Sequence, residues 1–187
     1  MTTALIVGDF QVGITGAHAF ARDLVPTVAA LVSRARETGT IILFVRIELR
    51  DNGFDVAPAN SLIAALHALP EYRQGSPGTE LDPGLGATED DAVVVKHRAS
   101  AFTGTDLDLI LRAQGVTSVV VAGVATSAMV AATVYDALDR DYRVTVVRDA
   151  CADPDPQVHE FFVDKVFPAR GVDIVTADAW SSGAIPT

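Results

Sequence analysis

Six short apolar runs, separated by segments of helical periodicity, constrain the fold of this sequence more than any other feature. Continuous runs of β-branched and aliphatic residues are typical of strands that are covered on both faces. Their alternation with helices predicts an α/β fold: a doubly wound parallel sheet of about six strands with helices on both faces. The runs are ALIVGDF at 4–10, TIILFVRI at 40–47, AVVVKH at 92–97, SVVVAG at 118–123, YRVTVVRD at 142–149 and VDIVT at 172–176.

The segments between the runs carry helix signals. An apolar stripe between residues 24 and 35 predicts a helix that ends before Gly39. Thr105 is predicted to cap a second helix and Asp155 to begin a third. Residues 52–91 break this rhythm, because they hold only a short helical piece and are rich in Pro and Gly. Long ordered loops of this kind are more often functional than idle.

Length and composition bound the class of protein. With 187 residues, 49% of them hydrophobic, the chain is expected to form a single domain over residues 1–187. We expect no signal peptide at the N-terminus, and no apolar run reaches the roughly 18–20 residues that cross a bilayer. Cys151 is the lone cysteine, so an internal disulfide is excluded and a cytoplasmic location is expected.

A net charge of −10 argues against two classes of partner. Nucleic acids and anionic membranes are bound by clustered basic residues, because these replace the counterions of the phosphates. We therefore predict no nucleic-acid partner and no membrane partner. Lysine is scarce, since Lys96 and Lys165 are the only two, and this makes the position of each informative.

Polar residues at the ends of the apolar runs are candidate site residues, because ligands of open parallel sheets bind outside the carboxyl ends of the strands. Asp9 follows the core of the first run, Arg46 lies near the end of the second, and Lys96 and Arg98 lie at the end of the third. A carboxylate at the rim of a core strand needs a partner to offset its burial. We predict that Asp9 and Lys96 meet at the carboxyl edge of the sheet.

The fourth run continues into GVATSAMVAATVYDAL at 123–138, which is typical of a strand end, a tight turn and the start of a buried helix. Backbone N–H groups at such a start are unpaired, and the helix dipole favours negative charge. The segment could therefore hold a carboxylate or an oxyanion. Alternatively, or in addition, Thr126 caps this helix.

Three motifs in this order, ALIVGDFQ, VVVKHRASAF and GVATSAMV, resemble those of the isochorismatase-like, or cysteine hydrolase, family. The similarity covers residues 4–176, nearly the whole chain. The resemblance implies a catalytic triad of Asp, Lys and Cys on a parallel sheet, with a non-proline cis peptide just after the glycine of the third motif. Carried over by motif, the Asp is Asp9, the Lys is Lys96, and the cis bond joins Val124 to Ala125.

The position of the family's nucleophile is occupied by Met129. A thioether has no proton to lose and cannot form the thiolate that attacks an amide, so covalent amide hydrolysis is disfavoured. Cys151 lies after the fifth run and is no evident substitute. An amidase that uses Thr126 or Ser127 as its nucleophile is an alternative, although neither has an evident base nearby in the sequence.

The resemblance also bears on metals, because the nicotinamidase-type branch of the family uses an Asp and His metal cluster. Here the second run continues as VRIELRDN without histidine, and the four histidines of the chain are scattered. We predict that the protein uses no metal and no cofactor.

Some family members work without a cysteine, among them the phenazine-pathway enzyme that cleaves the vinyl ether of a chorismate-derived acid. There an aspartic acid protonates the enol-ether carbon, water adds, and the hemiketal releases pyruvate. By this resemblance we predict a hydrolase for a small anionic metabolite, of the kind found in secondary metabolism, with Asp9 as general acid and Lys96 as its orienting cation. The predicted substrate-binding residues are Gln11, Arg46, Arg98, Val124, Ala125 and Thr126.

A family-like scaffold that binds a ligand or partner without turning it over is the second hypothesis. Loss of a nucleophile also converts enzymes into binders, and Asp9 and Lys96 could persist as a structural ion pair. The family resemblance further implies a homo-oligomer, and the segment 128–138 has more apolar positions than one core-facing stripe requires. We expect at least a homodimer.

Overall fold

The computed structural model describes residues 2–181, so residues 1 and 182–187 of the predicted single domain lie outside the described residues. The strands are β1 (Thr2–Gly8), β2 (Ile41–Ile47), β3 (Ala92–Lys96), β4 (Val116–Val124), β5 (Arg143–Ala152) and β6 (Asp173–Val175). They form one sheet in the order β3-β2-β1-β4-β5-β6, and every neighbouring pair is parallel. The predicted doubly wound sheet is confirmed.

Helices connect the strands, and the predicted ones are present. They are α1 (Val12–Ala17), α2 (Ala19–Arg22), α3 (Val25–Glu37), α4 (Ser61–His67), α5 (Leu107–Ala113), α6 (Ala131–Leu138), α7 (Pro156–Phe161) and α8 (Ala177–Ser181). Asp155 begins α7 as predicted, and its side chain accepts a hydrogen bond from the backbone N–H of Gln157. The prediction for Thr105 is wrong by one residue, because Asp106 is the N-cap of α5, and Thr105 accepts a hydrogen bond from the N–H of Leu107 from one position earlier. None of the described helices is long and apolar enough to span a bilayer.

The continuous hydrophobicity of the strands has a direct structural cause. Alternate residues of β1 enter two different cores: Leu5 packs with Leu31 of α3 on one face of the sheet, and Ile6 packs with Val134 of α6 on the other. Both faces are therefore buried, and polar side chains are left to the strand ends.

Residues 52–91, between β2 and β3, pack against the carboxyl end of the sheet instead of projecting from it. Isolated β-bridges pair Gln11 with Leu81 and Leu49 with Arg73. The segment contains α4 and three single turns of 3-10 helix, Pro70–Tyr72, Pro77–Thr79 and Pro83–Leu85. It thereby covers the strand ends at which the candidate site residues lie.

Candidate active site

Asp9 and Lys96 meet at the carboxyl edge of the sheet, as the sequence predicted. Asp9 directly follows β1 and Lys96 ends β3, so the pair reaches across the end of the intervening strand β2. Lys96 Nζ lies 2.9 Å from Asp9 Oδ2 and also donates to the carbonyl oxygen of Arg98 at 3.1 Å. Asp9 is 7% exposed and Lys96 1%, which makes this a buried ion pair.

The backbone of Asp9 is left-handed, with φ at +63°. Its N–H donates to the carbonyl oxygen of Val45 on β2. Positive φ is uncommon outside glycine, but Asp and Asn tolerate it better than other residues, and such positions cluster at functional sites. The left-handed backbone is therefore a second sign, separate from the ion pair, that position 9 belongs to a functional site.

Burial raises the pKa of Asp9 above its ordinary value, and the charge of Lys96 and its hydrogen bond oppose that shift. The second carboxyl oxygen, Oδ1, is buried and accepts no hydrogen bond from the described residues. When the carboxyl group is ionised, a buried oxygen that accepts no hydrogen bond costs free energy. Protonation of the carboxyl group, or a hydrogen bond from a bound ligand, removes that cost. Both features suit Asp9 to donate a proton.

A cavity of about 160 Å³ opens beside the pair. Asp9, Lys96, His18 and Tyr72 supply its polar side chains. The exposed side chains of His18 and Leu62 mark its solvent end. The remaining lining residues are Ile14, Phe20, Ile47, Ile63, Leu66, Ala99, Val124, Ala125, Ala128 and Met129, so the walls are mostly apolar.

Met129 lies on the wall of this cavity, 1% exposed, at the position where the family resemblance places the nucleophile. The peptide between Val124 and Ala125 is cis, as the resemblance implied. Two strand-end glycines make room for the thioether, because a Cβ at Gly8 would lie 1.9 Å from Met129 Cε and one at Gly123 3.0 Å from its Sδ. The side chain thus lies against β1 and β4 at the edge of the site.

The structure places four of the six predicted substrate-binding residues outside the cavity, and only Val124 and Ala125 among them line it. Gln11 is fully buried, and its amide bonds to the backbone of Ile47 and Gly78, so it fixes the covering segment to β2. Arg46 donates to the carbonyl oxygen of Thr79 and pairs with Glu48 at 3.3 Å. Arg98 donates to the carbonyl oxygen of His97.

Thr126 does not cap the following helix, so that prediction is wrong. Its hydroxyl lies 2.8 Å from Nδ1 of His159, and the neighbouring backbone N–H of Ser127 donates to Asp153. His159 is the nearby base that the sequence did not reveal. Thr126 is nevertheless 0% exposed and forms no part of the cavity wall, which does not favour it as a substrate ligand or nucleophile.

Cys151 cannot replace the missing nucleophile. It is 3% exposed, its Sγ faces the carbonyl oxygen of Val121, and burial raises the pKa of the thiol to about 12. At neutral pH it stays protonated and unreactive. Within residues 2–181, no group of three or more His, Cys, Asp or Glu side chains is placed to hold a metal ion.

Several wall residues were not singled out from the sequence. Leu62, Ile63, Leu66 and Tyr72 come from the segment between β2 and β3, and Phe20 comes from α2. The only sequence signal for the four residues of that segment was the expectation that the long segment 52–91 is functional, and Phe20 had no signal. That signal identified the segment but no individual side chain.

The doubly wound sheet, the left-handed Asp9 and its ion pair with Lys96 define an α/β protein with a buried carboxylate–ammonium pair at the carboxyl edge of its strands. The isochorismatase domain model matches residues 3–179 of this chain. The protein therefore belongs to the isochorismatase family.

Similar proteins include both enzymes and a relative whose name marks it as inactive. The probable inactive nicotinamidase of Arabidopsis thaliana is 36% identical over 164 residues, 84% of each protein. The maleamate amidohydrolase of Pseudomonas putida is 32% identical over 162 residues, which cover 84% of this chain and 75% of that enzyme. The isochorismatase family protein of Desulfovibrio vulgaris superimposes with a TM-score of 0.87 at 32% identity over 98% of each chain.

Proposed function

We propose that this protein is a hydrolase that cleaves a vinyl ether without a nucleophilic side chain, with Asp9 as general acid. The observation that carries the proposal is the buried Asp9 carboxyl, which has one oxygen on Lys96 and the other without a donor, on the wall of an apolar cavity. Methionine at the nucleophile position is compatible with this chemistry, since no covalent intermediate is formed.

The proposed reaction begins with protonated Asp9, which transfers its proton to the terminal carbon of the enol ether. The double bond becomes an oxocarbenium ion, and water adds to its carbon while the Asp9 carboxylate takes up the proton released. The resulting hemiketal collapses: its hydroxyl proton passes to the ether oxygen, the C–O bond breaks, and an alcohol and a ketone leave. Lys96 holds Asp9 in position during these steps.

The charges around the cavity favour a substrate with one carboxylate on an otherwise apolar body. An ammonium has three N–H donors, and Asp9 and the carbonyl oxygen of Arg98 engage two of those on Lys96. One donor is left for a ligand carboxylate. Arg46 and Arg98, expected from the sequence to bind an anion, lie outside the cavity, so a polyanionic substrate has less support.

A screen of enol ethers and amides tests the proposal. We expect pyruvate release from 2-phenoxyacrylate, which carries one ring and one carboxylate, and slower release from chorismate, which carries two carboxylates. Benzamide and maleamate, assayed for ammonia, are expected to be inert because Met129 cannot attack them. Release of ammonia without pyruvate would contradict the proposal and point to an amidase with another nucleophile.

A ligand-binding protein without turnover is the second candidate. Met129 favours it, and so does the 36% identical Arabidopsis relative, whose name describes it as a probable inactive nicotinamidase. This candidate predicts that 2-phenoxyacrylate binds in the cavity and is recovered intact. The homo-oligomer and the cytoplasmic location expected from the sequence stand as further proposals.

Proton uptake on binding provides a test that does not depend on turnover. A ligand carboxylate beside Lys96 brings negative charge close to Asp9 and competes for the ammonium, so the already raised pKa of Asp9 rises further. We expect 2-phenoxypropionate, the saturated analogue, to bind with net proton uptake between about pH 6 and pH 8. Calorimetry in buffers of different ionisation enthalpy measures this uptake. Binding with no uptake would defeat the general-acid assignment of Asp9.

A further inference from the structure

Tyr72 is a wall residue whose hydroxyl is not used by the fold. The residue is 5% exposed, lies on the cavity, and makes no side-chain hydrogen bond with any of the residues 2–181. Its backbone carbonyl, in contrast, accepts a hydrogen bond from Leu49 and holds the segment in place. Tyrosine hydroxyls in protein sites usually find a partner, and because no side chain or backbone group of the described residues engages this one, it is available to a ligand in the cavity.

Tyr72 lies close enough to Asp9 for the carboxylate charge to affect its phenol. Burial raises the pKa of the Tyr72 phenol, and the charges of Glu71 and Asp9 raise it further. The phenol therefore stays protonated and acts as a hydrogen-bond donor at neutral pH. The other described wall residues with polar side chains are Asp9, Lys96 and His18, of which the first two are paired with each other and His18 lies at the solvent end.

The size of the cavity limits what can lie between these groups. A dry apolar cavity of about 150 Å³ binds benzene, and the cavity here is about 160 Å³. Its wall contains two aromatic rings, Phe20 and Tyr72, among aliphatic side chains. A single six-membered ring with a short substituent matches both this volume and this lining.

We propose that Tyr72 is the specificity-determining hydrogen-bond donor of the cavity and that it selects one-ring ligands that carry an acceptor oxygen. This takes the cavity to be the substrate site of the proposed hydrolase and narrows its substrate class to small monocyclic compounds. A ligand with the acceptor gains a hydrogen bond from the phenol, an analogue without it does not, and this difference is the source of the selectivity.

A matched pair of probes isolates this hydrogen bond. Acetophenone and α-methylstyrene have nearly the same shape, and only the first has an acceptor oxygen, where the second has a CH₂ group. We expect the protein to bind acetophenone about 3-fold to 10-fold more tightly, the range of one net hydrogen bond. In Tyr72→Phe this preference should disappear, because acetophenone binds more weakly while the affinity for α-methylstyrene is unchanged. Dissociation constants from NMR titration give both numbers.

The chain offers a control in Tyr142, a second buried tyrosine, whose hydroxyl donates to Asp108 away from the cavity. Tyr142→Phe should leave the affinities for both probes unchanged. Three results would overturn the proposal: a preference that survives in Tyr72→Phe, an equal loss for both probes, or no binding of either probe to the unaltered protein. Because these are binding measurements, absence of pyruvate release with the expected probe selectivity would count against the vinyl-ether reaction alone.

Discussion

Replacement of Asp9 by asparagine is expected to reduce pyruvate release from 2-phenoxyacrylate by roughly 10²-fold to 10⁴-fold, the usual contribution of a positioned general acid. The amide keeps the shape of the carboxyl but has no comparable proton to donate. The fold should survive, because asparagine, like aspartate, tolerates the left-handed conformation at φ +63° that position 9 requires. Initial rates at saturating substrate and the circular dichroism spectrum together test both statements.

Asp141 provides a matched control for this variant. It is the other described non-glycine residue with a positive φ, also +63°, and it is exposed in the turn between α6 and β5. Asp141→Asn makes the same chemical change in the same backbone conformation away from the cavity, so its activity should equal that of the unaltered protein. If Asp9→Asn also retained full activity, the proton donor would have to be another group.

The parts of the site that were predictable from sequence are those fixed by strand ends. Asp9 and Lys96 each lie where an apolar run stops, whereas the cis bond at Val124 was implied by the family resemblance. The carboxyl ends of parallel strands converge on one edge, so residues far apart in sequence are brought together by topology alone. The family motifs then assigned roles to these positions.

Arg46 shows where that reasoning failed. Its place near the end of a strand predicts that Arg46 faces the ligand, but its guanidinium donates to the carbonyl oxygen of Thr79 and pairs with Glu48. The neighbouring Ile47 lines the cavity instead. Thr79 belongs to residues 52–91, so the direction of the Arg46 side chain depended on how that segment packs against the sheet.

The remaining contacts in and around the site could not be derived from local patterns. Tyr72 lies in a short 3-10 turn and reaches the cavity because the adjacent backbone is bridged to Leu49. His159 approaches Thr126 from a helix 33 residues further along the chain. Such contacts depend on how loops pack, and the composition of a loop does not indicate which of its side chains will reach the site.

Met129→Cys is expected to create a reactive thiol where the protein has none. Residue 129 lies on the cavity wall with Asp9 and Lys96, so the ammonium would stabilise a thiolate and the carboxylate would accept its proton. The native background is low, because Cys151 is buried and its thiol has a pKa raised to about 12. Iodoacetamide should therefore alkylate the folded variant at one site and leave the unaltered protein unlabelled. Ammonia release from benzamide, which the unaltered protein should not catalyse, is expected to reach roughly 10²-fold above the rate without protein.

Two further variants make the interpretation specific. Shortening the side chain removes packing against Gly8 and Gly123, at a cost on the order of 1–2 kcal/mol. Met129→Leu keeps an apolar side chain of similar volume and should show neither labelling nor ammonia release. In the double variant Met129→Cys with Asp9→Asn, labelling should slow, because the group that accepts the thiol proton is gone. Mass spectrometry of digested protein locates the label. If iodoacetamide labelled Met129→Cys only after unfolding in urea, position 129 would be inaccessible to ligands in the folded protein. That result would contradict the assignment of the cavity beside Asp9 as the active site.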